Sequence, residues 1–161
     1  MFVREATAGE MGAVGDLRLE AYRAQNLLAE NPLYADTLRV LGADGQGEVL
    51  VAVEESRILG TIMVESWHPA SEVARGGDEA EIRGLAVAPQ AQGRGVGGTL
   101  VRAAVDRAVA RGARQVVLST RPAMTAAQRL YAAEGFTRMP DRDWSPVPGV
   151  SLLAFRRVLT G

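Results

Sequence analysis

Four glycines fall within six residues, at Gly93, Gly95, Gly97 and Gly98, between a strand-like run and a helix-like one. No other stretch constrains this chain as tightly. Glycine tolerates left-handed backbone and leaves no side chain over the amides. The helix that follows adds its own unpaired N–H groups and the positive end of its dipole. The segment reads as a cradle for an anion, and phosphate or pyrophosphate suits it best. A tight turn that only lets strand and helix pack is the competing reading.

Gly93-x-Gly95-x-x-Gly98 also fits the dinucleotide fingerprint, which makes an NAD-dependent oxidoreductase a rival. Three observations oppose it. Residues 88–92 separate the glycines from their strand, whereas the fingerprint follows its strand almost directly. Ser119 and Thr120 stand where an acidic residue should hold a ribose. The motif also lies two-thirds of the way along the chain, not at the first strand of a βαβ unit. A P-loop fails because no Lys-Ser/Thr pair follows the glycines.

The rest of the chain limits the choices further. At 161 residues it suits one domain over 1–161, able to bury roughly 70% of its unfolded surface without staples. There is no cysteine and one histidine, His68, so a disulfide scaffold, a cysteine nucleophile and a metal site are not expected. No apolar run is long enough to span a bilayer, and residues 1–6 lack the order of a secretion signal, so a cytoplasmic protein is expected. Net charge is −1 with no dense basic cluster, which argues against a nucleic-acid surface. All 18 basic residues are arginine, a bias that a GC-rich genome would produce.

Patterning predicts an extended segment at 2–6 and a helix from a Thr7/Glu10 capping box to about residue 28. A second short helix follows Asn31-Pro32 and ends near 41. Residues 48–54 and 58–66 read as a hairpin, 67–78 as a mobile loop and 79–87 as a core strand. A helix is expected over 97–111, a buried strand over 116–120 and a helix over 126–134 capped by Thr125. Two more strands should follow, separated by the proline-rich stretch 140–148.

With these elements in place, the chain resembles the GNAT-type N-acetyltransferases. Gln92-Gly93-Arg94-Gly95-Val96-Gly97 is similar to that family's pyrophosphate loop. Residues 82–89 (IRGLAVAP) are similar to its fourth strand, and 127–136 (AQRLYAAEGF) to its late helix and the strand after it. The resemblance implies an α/β fold, a mixed and mostly antiparallel sheet that opens between its fourth and fifth strands, with about four helices around it. It also implies acetyl-CoA in that opening. The pyrophosphate would take donors from Gln92, Gly93, Arg94, Gly95, Val96, Gly97 and Gly98 with Thr99 nearby, and the pantetheine would pair with Leu85, Ala86 and Val87. One departure is Met124, where the family often carries an asparagine that bonds the cofactor. Thr125 could substitute for it or simply cap the helix. A homodimer is compatible with the resemblance.

The implied activity moves acetyl from acetyl-CoA to a primary amine by direct attack in a ternary complex, since no Ser-His-Asp set or cysteine offers a covalent route. Tyr131 resembles the family's general acid; a phenol of pKa about 10 keeps its proton at neutral pH. Glu81 resembles the glutamate of the histone-acetylating branch and is the best general-base candidate, with a solvated strand glutamate or a partner for Arg83 as the alternative readings. Glu79 and Asp78 are weaker substitutes, and the N–H near Leu85 is the implied oxyanion donor. Tyr34, Trp67, His68, Asp143 and Trp144 are candidates for the acceptor side, with Tyr22 read as core. Asp143 with Trp144 could grip a cationic amine. An inactive acyl-CoA-binding module of the same fold is the main alternative, and it would need neither Tyr131 nor Glu81.

Overall fold

The computed structural model describes residues 1–29 and 31–159; positions 30 and 160–161 of the expected 1–161 unit lie outside them. The chain runs β1 (Phe2–Glu5), α1 (Met11–Ala24), α2 (Tyr34–Val40), β2 (Glu48–Glu54), β3 (Arg57–Ser66) and β4 (Glu79–Val87). It continues with α3 (Val96–Ala110), β5 (Gln115–Thr120), α4 (Thr125–Ala133), β6 (Thr137–Arg138) and β7 (Leu153–Val158). The fold is α/β, with a seven-stranded sheet ordered β1-β2-β3-β4-β5-β7-β6. Every neighbouring pair is antiparallel except β4 and β5.

One sheet face is apolar where α3 covers it. Leu50, Ile62, Val64 and Ile82 meet Leu100, Val101, Ala104 and Ala108 there, all buried. The opposite face is apolar at its β1 side, where Val49, Val51 and Met63 pack with Val14 of α1, and again on β5 and β7, where Val117 and Ala154 pack with Val73 and Met139. Between these two clusters, on β3 and β4, that face carries buried charge instead. Glu65 and Glu81 are register partners, as are Met63 and Arg83, so these charged side chains project together.

The β4–β5 pairing is short. It joins Glu79 to Gln115, Ala80 to Val116 and Glu81 to Val117, and then stops. Beyond it β4 continues beside β3 while β5 continues beside β7, so the sheet opens between them. A bulge accompanies the opening: between the pairs Thr61–Ala86 and Met63–Arg83, β4 uses one residue more than β3. Gly84 sits within it at φ +65°, a left-handed value that glycine adopts without strain.

Several expectations shift at the edges. Helix α1 ends at Ala24, short of residue 28, because Asn26 turns left-handed at φ 55° and tucks Leu27 inward at 6% exposure. Thr125 is the first residue of α4 and Met124 its cap, which offers no side-chain hydrogen bond. The stretch 67–78, expected to be mobile, is tied down. Glu81 Oε1 accepts the N–H groups of Val73 and Ala74 at 2.8 Å each, and Glu79 Oε1 accepts that of Arg75 at 2.8 Å. Buried carboxylates hold a segment whose composition alone suggests freedom. Among the described residues no helix is long and apolar enough to cross a membrane.

Candidate active site

Two cavities open where the sheet splays. The first, of about 520 Å³, is bounded by Leu85, Ala86, Val87, Gln92 and the glycine loop, with Ala127 and Leu130 of α4 opposite. The second, of about 390 Å³, is bounded by α1, α2, the 70–72 loop and the ends of β4 and β5. Among the described residues they share Leu85, Met124 and Tyr131.

The first cavity is built for backbone recognition. Gly93 and Gly95 both stand at φ +78° with open space where a side chain would project. Gly95 caps α3, and the first helical bond is Thr99 N–H to Gly95 O at 3.1 Å. The amides of Val96, Gly97 and Gly98 therefore precede the hydrogen-bonded ladder at a 15-residue helix's positive end. Gly97 has a different reason to be glycine: a Cβ there would meet Leu130 at 2.9 Å, so it lets α3 and α4 approach. Two residues of the loop turn elsewhere. Arg94 pairs with Glu54 at 2.7 Å, and the Thr99 hydroxyl donates to Gly95 O at 3.0 Å; neither lines the cavity. Gln92 does line it and also donates to Val87 O at 3.1 Å. Open amides at a helix's positive end suit the phosphates of an anionic ligand.

The second cavity is lined by charge and phenols. Glu81 is 1% exposed, and burial raises its carboxyl above the ordinary range despite the two N–H groups it accepts. Glu72 also lines it and is likewise raised by burial. Arg83 lies between carboxylates, 3.1 Å from Glu72 and 3.8 Å from Glu65. Tyr22 and Tyr34 line the wall as a tilted pair, ring centroids 6.1 Å apart. Tyr22, read from the sequence as core, therefore faces the cavity, and so does Arg121, which donates to Leu27 O.

Tyr131 stands at the junction, 5% exposed, edge-on to Phe136 at 5.9 Å. Burial pushes its phenol well above its ordinary pKa, which keeps the proton on oxygen across the neutral range. Met124 faces it from the cap of α4, with its sulfur accepting from the Thr120 hydroxyl at 3.3 Å.

The remaining sequence candidates lie outside both linings. Trp67 is exposed at 40%, and His68 bonds Glu65 Oε2 at 3.3 Å through Nε2. Asp143 is held by Arg138 with both oxygens at 2.8 Å and also takes Ala154 N–H, which lowers its pKa. Trp144 donates to Ser119 Oγ at 3.3 Å and packs beside Val117 and Met139. The carboxylate proposed to grip an amine is thus already engaged. Glu79 is engaged as well: burial pushes its carboxyl up, but Arg142 at 2.7 Å, Arg75 N–H and Gln115 outweigh that and hold it below the usual range. Sequence reasoning passed over Glu72, whose only local signal is an acid inside a polar loop.

The fold has many solved counterparts. The ribosomal-protein-alanine N-acetyltransferase of Brucella melitensis aligns with TM-score 0.72 at 22% identity, over 99% of this chain and 100% of its own. A GNAT-family acetyltransferase from Staphylococcus aureus gives 0.77 at 14% identity, over 99% of each chain. The PaiA N-acetyltransferase of Thermoplasma acidophilum, solved in complex with coenzyme A, gives 0.74 at 13% identity, over 98% of each. No curated protein sequence matches the chain. The sequence model of the acetyltransferase (GNAT) family matches residues 13–136, with the splayed strand, the glycine loop and Tyr131 inside that span. The chain belongs to the GNAT acetyltransferase family.

Proposed function

We propose that this protein transfers an acetyl group from acetyl-CoA to a primary amine in a ternary complex. The observation that carries the reading is the junction. Among the described residues, a cavity of open backbone donors and a cavity of buried carboxylates meet at Leu85, Met124 and Tyr131. Acetyl-CoA supplies the thioester, with its phosphates toward 93–98 and its pantetheine along Leu85, Ala86 and Val87. The amine enters from the Tyr22–Tyr34 side.

Each residue then has one task. The Leu85 N–H stabilises the oxyanion as the new C–N bond forms. Glu81 receives the proton that the ammonium must lose, and its raised pKa brings it closer to a useful base at neutral pH. Tyr131 donates its proton to sulfur as the C–S bond breaks and regains one from the nitrogen, which sheds its second proton as the amide forms. Glu72 offers a second carboxylate on the same wall, with no backbone N–H partner among the described residues where Glu81 has two, but with Arg83 at 3.1 Å opposing the rise that burial gives it. The inactive-module alternative leaves Glu81 only its hold on the Val73 and Ala74 amides and gives no task to the protonated phenol at the junction.

The test follows release of free CoA thiol when the protein is mixed with acetyl-CoA and each of three amines: alanine amide, putrescine and a peptide beginning with alanine. The relative acting on a ribosomal-protein alanine motivates the peptide. Amine-dependent release in at least one case, with acetylated product by mass, is expected. Tight acetyl-CoA binding without transfer to any of them would favour the binding module.

A further inference from the structure

Arg18 is an anomaly. It lies in the middle of α1, is 0% exposed, and pairs with no carboxylate among the described residues. Its Nη1 donates to Leu38 O at 2.9 Å and Leu41 O at 2.8 Å, the carbonyls that close α2. Its Nε and Nη2 are sealed from solvent and have no hydrogen-bond partner among the described residues. Burial pulls its pKa down to about 10, so it remains a cation at neutral pH. A buried charge so poorly compensated lowers stability, and natural chains keep such groups for a reason.

The reason is not ligand binding. Donors closed to a water molecule are closed to a substrate in the neighbouring cavity as well. What Arg18 touches points to a mechanical task. A Cβ built on Gly84 would lie 3.6 Å from Arg18 Nε, 3.9 Å from its Cζ and 3.0 Å from Leu41 Cδ2. The guanidinium therefore packs against the bulge of β4 while it grips the end of α2. One turn earlier on α1, Gly15 brings the two helices together, since a Cβ there would meet Arg39 O at 2.5 Å. The elements so joined carry Tyr22 on α1, Tyr34 and Thr37 on α2, and Gly84 and Leu85 on β4, all lining the second cavity.

We propose that Arg18 is a positioning residue for the transfer, fixing the acceptor wall of α2 against the Gly84 bulge that aims the Leu85 N–H. The inference rests on the acetyltransfer reading above. A small displacement between acceptor and thioester is enough to slow transfer by one or two orders of magnitude. Arg18 acts through these neighbours and touches no reacting atom.

The test compares Arg18→Met and Arg18→Lys in the full chain, with Arg39→Ala as a control at a half-exposed position of α2. Hydrogen exchange is measured over 34–41, 84–87 and 100–108, with acetyl-CoA affinity and the kinetics of the best amine well below each variant's Tm. Arg18→Met should exchange about tenfold faster in both 34–41 and 84–87 but not in 100–108. Its kcat should fall about tenfold or more with acetyl-CoA affinity within about threefold, and Arg18→Lys should recover part of the loss. If Arg18→Met does not fold, the same measurements on Arg18→Lys decide. Faster exchange in 34–41 alone, or wild-type kcat in a folded Arg18 variant, overturns the proposal. Should the wild type acetylate none of the amines, the functional reading fails, while the exchange data still decide whether Arg18 joins α2 to β4.

Discussion

The two cavities that meet at Tyr131 use opposite chemistry. On the side proposed for the cofactor the wall is mostly backbone: two left-handed glycines, a helix start and a strand edge, with no ionised side chain among the described residues. On the side proposed for the acceptor Glu72, Glu81, Arg83 and Arg121 all face one space, and burial shifts both carboxyls upward. A ligand shared by a whole family can be held by main chain, which tolerates change in side chains. An acceptor that differs between members has to be read by side chains. The contrast implies that substitutions on the two sides should separate cleanly into binding of acetyl-CoA and turnover of amine.

The sharpest way to break that contrast is at the junction. Tyr131→Phe removes one hydroxyl from a wall common to both cavities, and kcat should fall about 100-fold or more with acetyl-CoA affinity unchanged. A parallel loss of acetyl-CoA affinity would mean the phenol binds cofactor instead of donating a proton. Glu81→Gln comes next. An amide oxygen can still accept the Val73 and Ala74 N–H groups, so the loop should stay in place while kcat drops about 10- to 100-fold.

The pH dependence carries a sign. Glu81 must be ionised to act, and burial raises its pKa, so the acidic limb of kcat should lie above the ordinary carboxylate range and vanish in Glu81→Gln. A limb that survives in Glu81→Gln and vanishes in Glu72→Gln would move the base to Glu72. Stability runs the other way for this pair. Their folded pKa values exceed the unfolded ones, so their contribution is complete below the usual carboxylate pKa and is lost as pH rises through the raised values.

Smaller effects sharpen the boundary of the acceptor side. Arg142→Ala leaves Glu79, 6% exposed, without its cation and frees Val73 O, so unfolding free energy should drop by about 2 kcal/mol in denaturant titration. Glu79 has a lowered pKa, so the pair's contribution is present above the ordinary carboxylate value and fades as pH falls through the folded one. Asp143→Ala should do least. Its partner Arg138 is about one-third exposed, so the loss should be within about 1 kcal/mol, and KM for the amine should not move. A rise in that KM would return Asp143 to the acceptor site.

These differences track what a linear sequence can carry. Strand β4 and the glycine loop were legible because their signals are local: an apolar run, a proline stop and glycines whose φ of +78° other residues adopt only with strain. Helix α3 was legible for the same reason, its apolar positions repeating at helical spacing. The insertion of β7 between β5 and β6 was not, because strand order is decided by pairing across some forty residues. The anchoring of 67–78 also escaped, since it depends on Glu79 and Glu81 turning their carboxylates onto loop amides. Arg18 is the extreme case. An arginine in a helix of mixed polarity reads as a solvated side chain, and only the approach of α2 and the β4 bulge makes it buried.

The central claim is most directly tested by calorimetric titration of acetyl-CoA into the wild-type protein and Gly95→Asp, with NAD as the control ligand. The account predicts micromolar binding of acetyl-CoA and none of NAD. In Gly95→Asp the added carboxylate would point into the open space of the loop and repel phosphate, weakening acetyl-CoA binding about 100-fold. Equal affinity in the two proteins, or a preference for NAD, would contradict it.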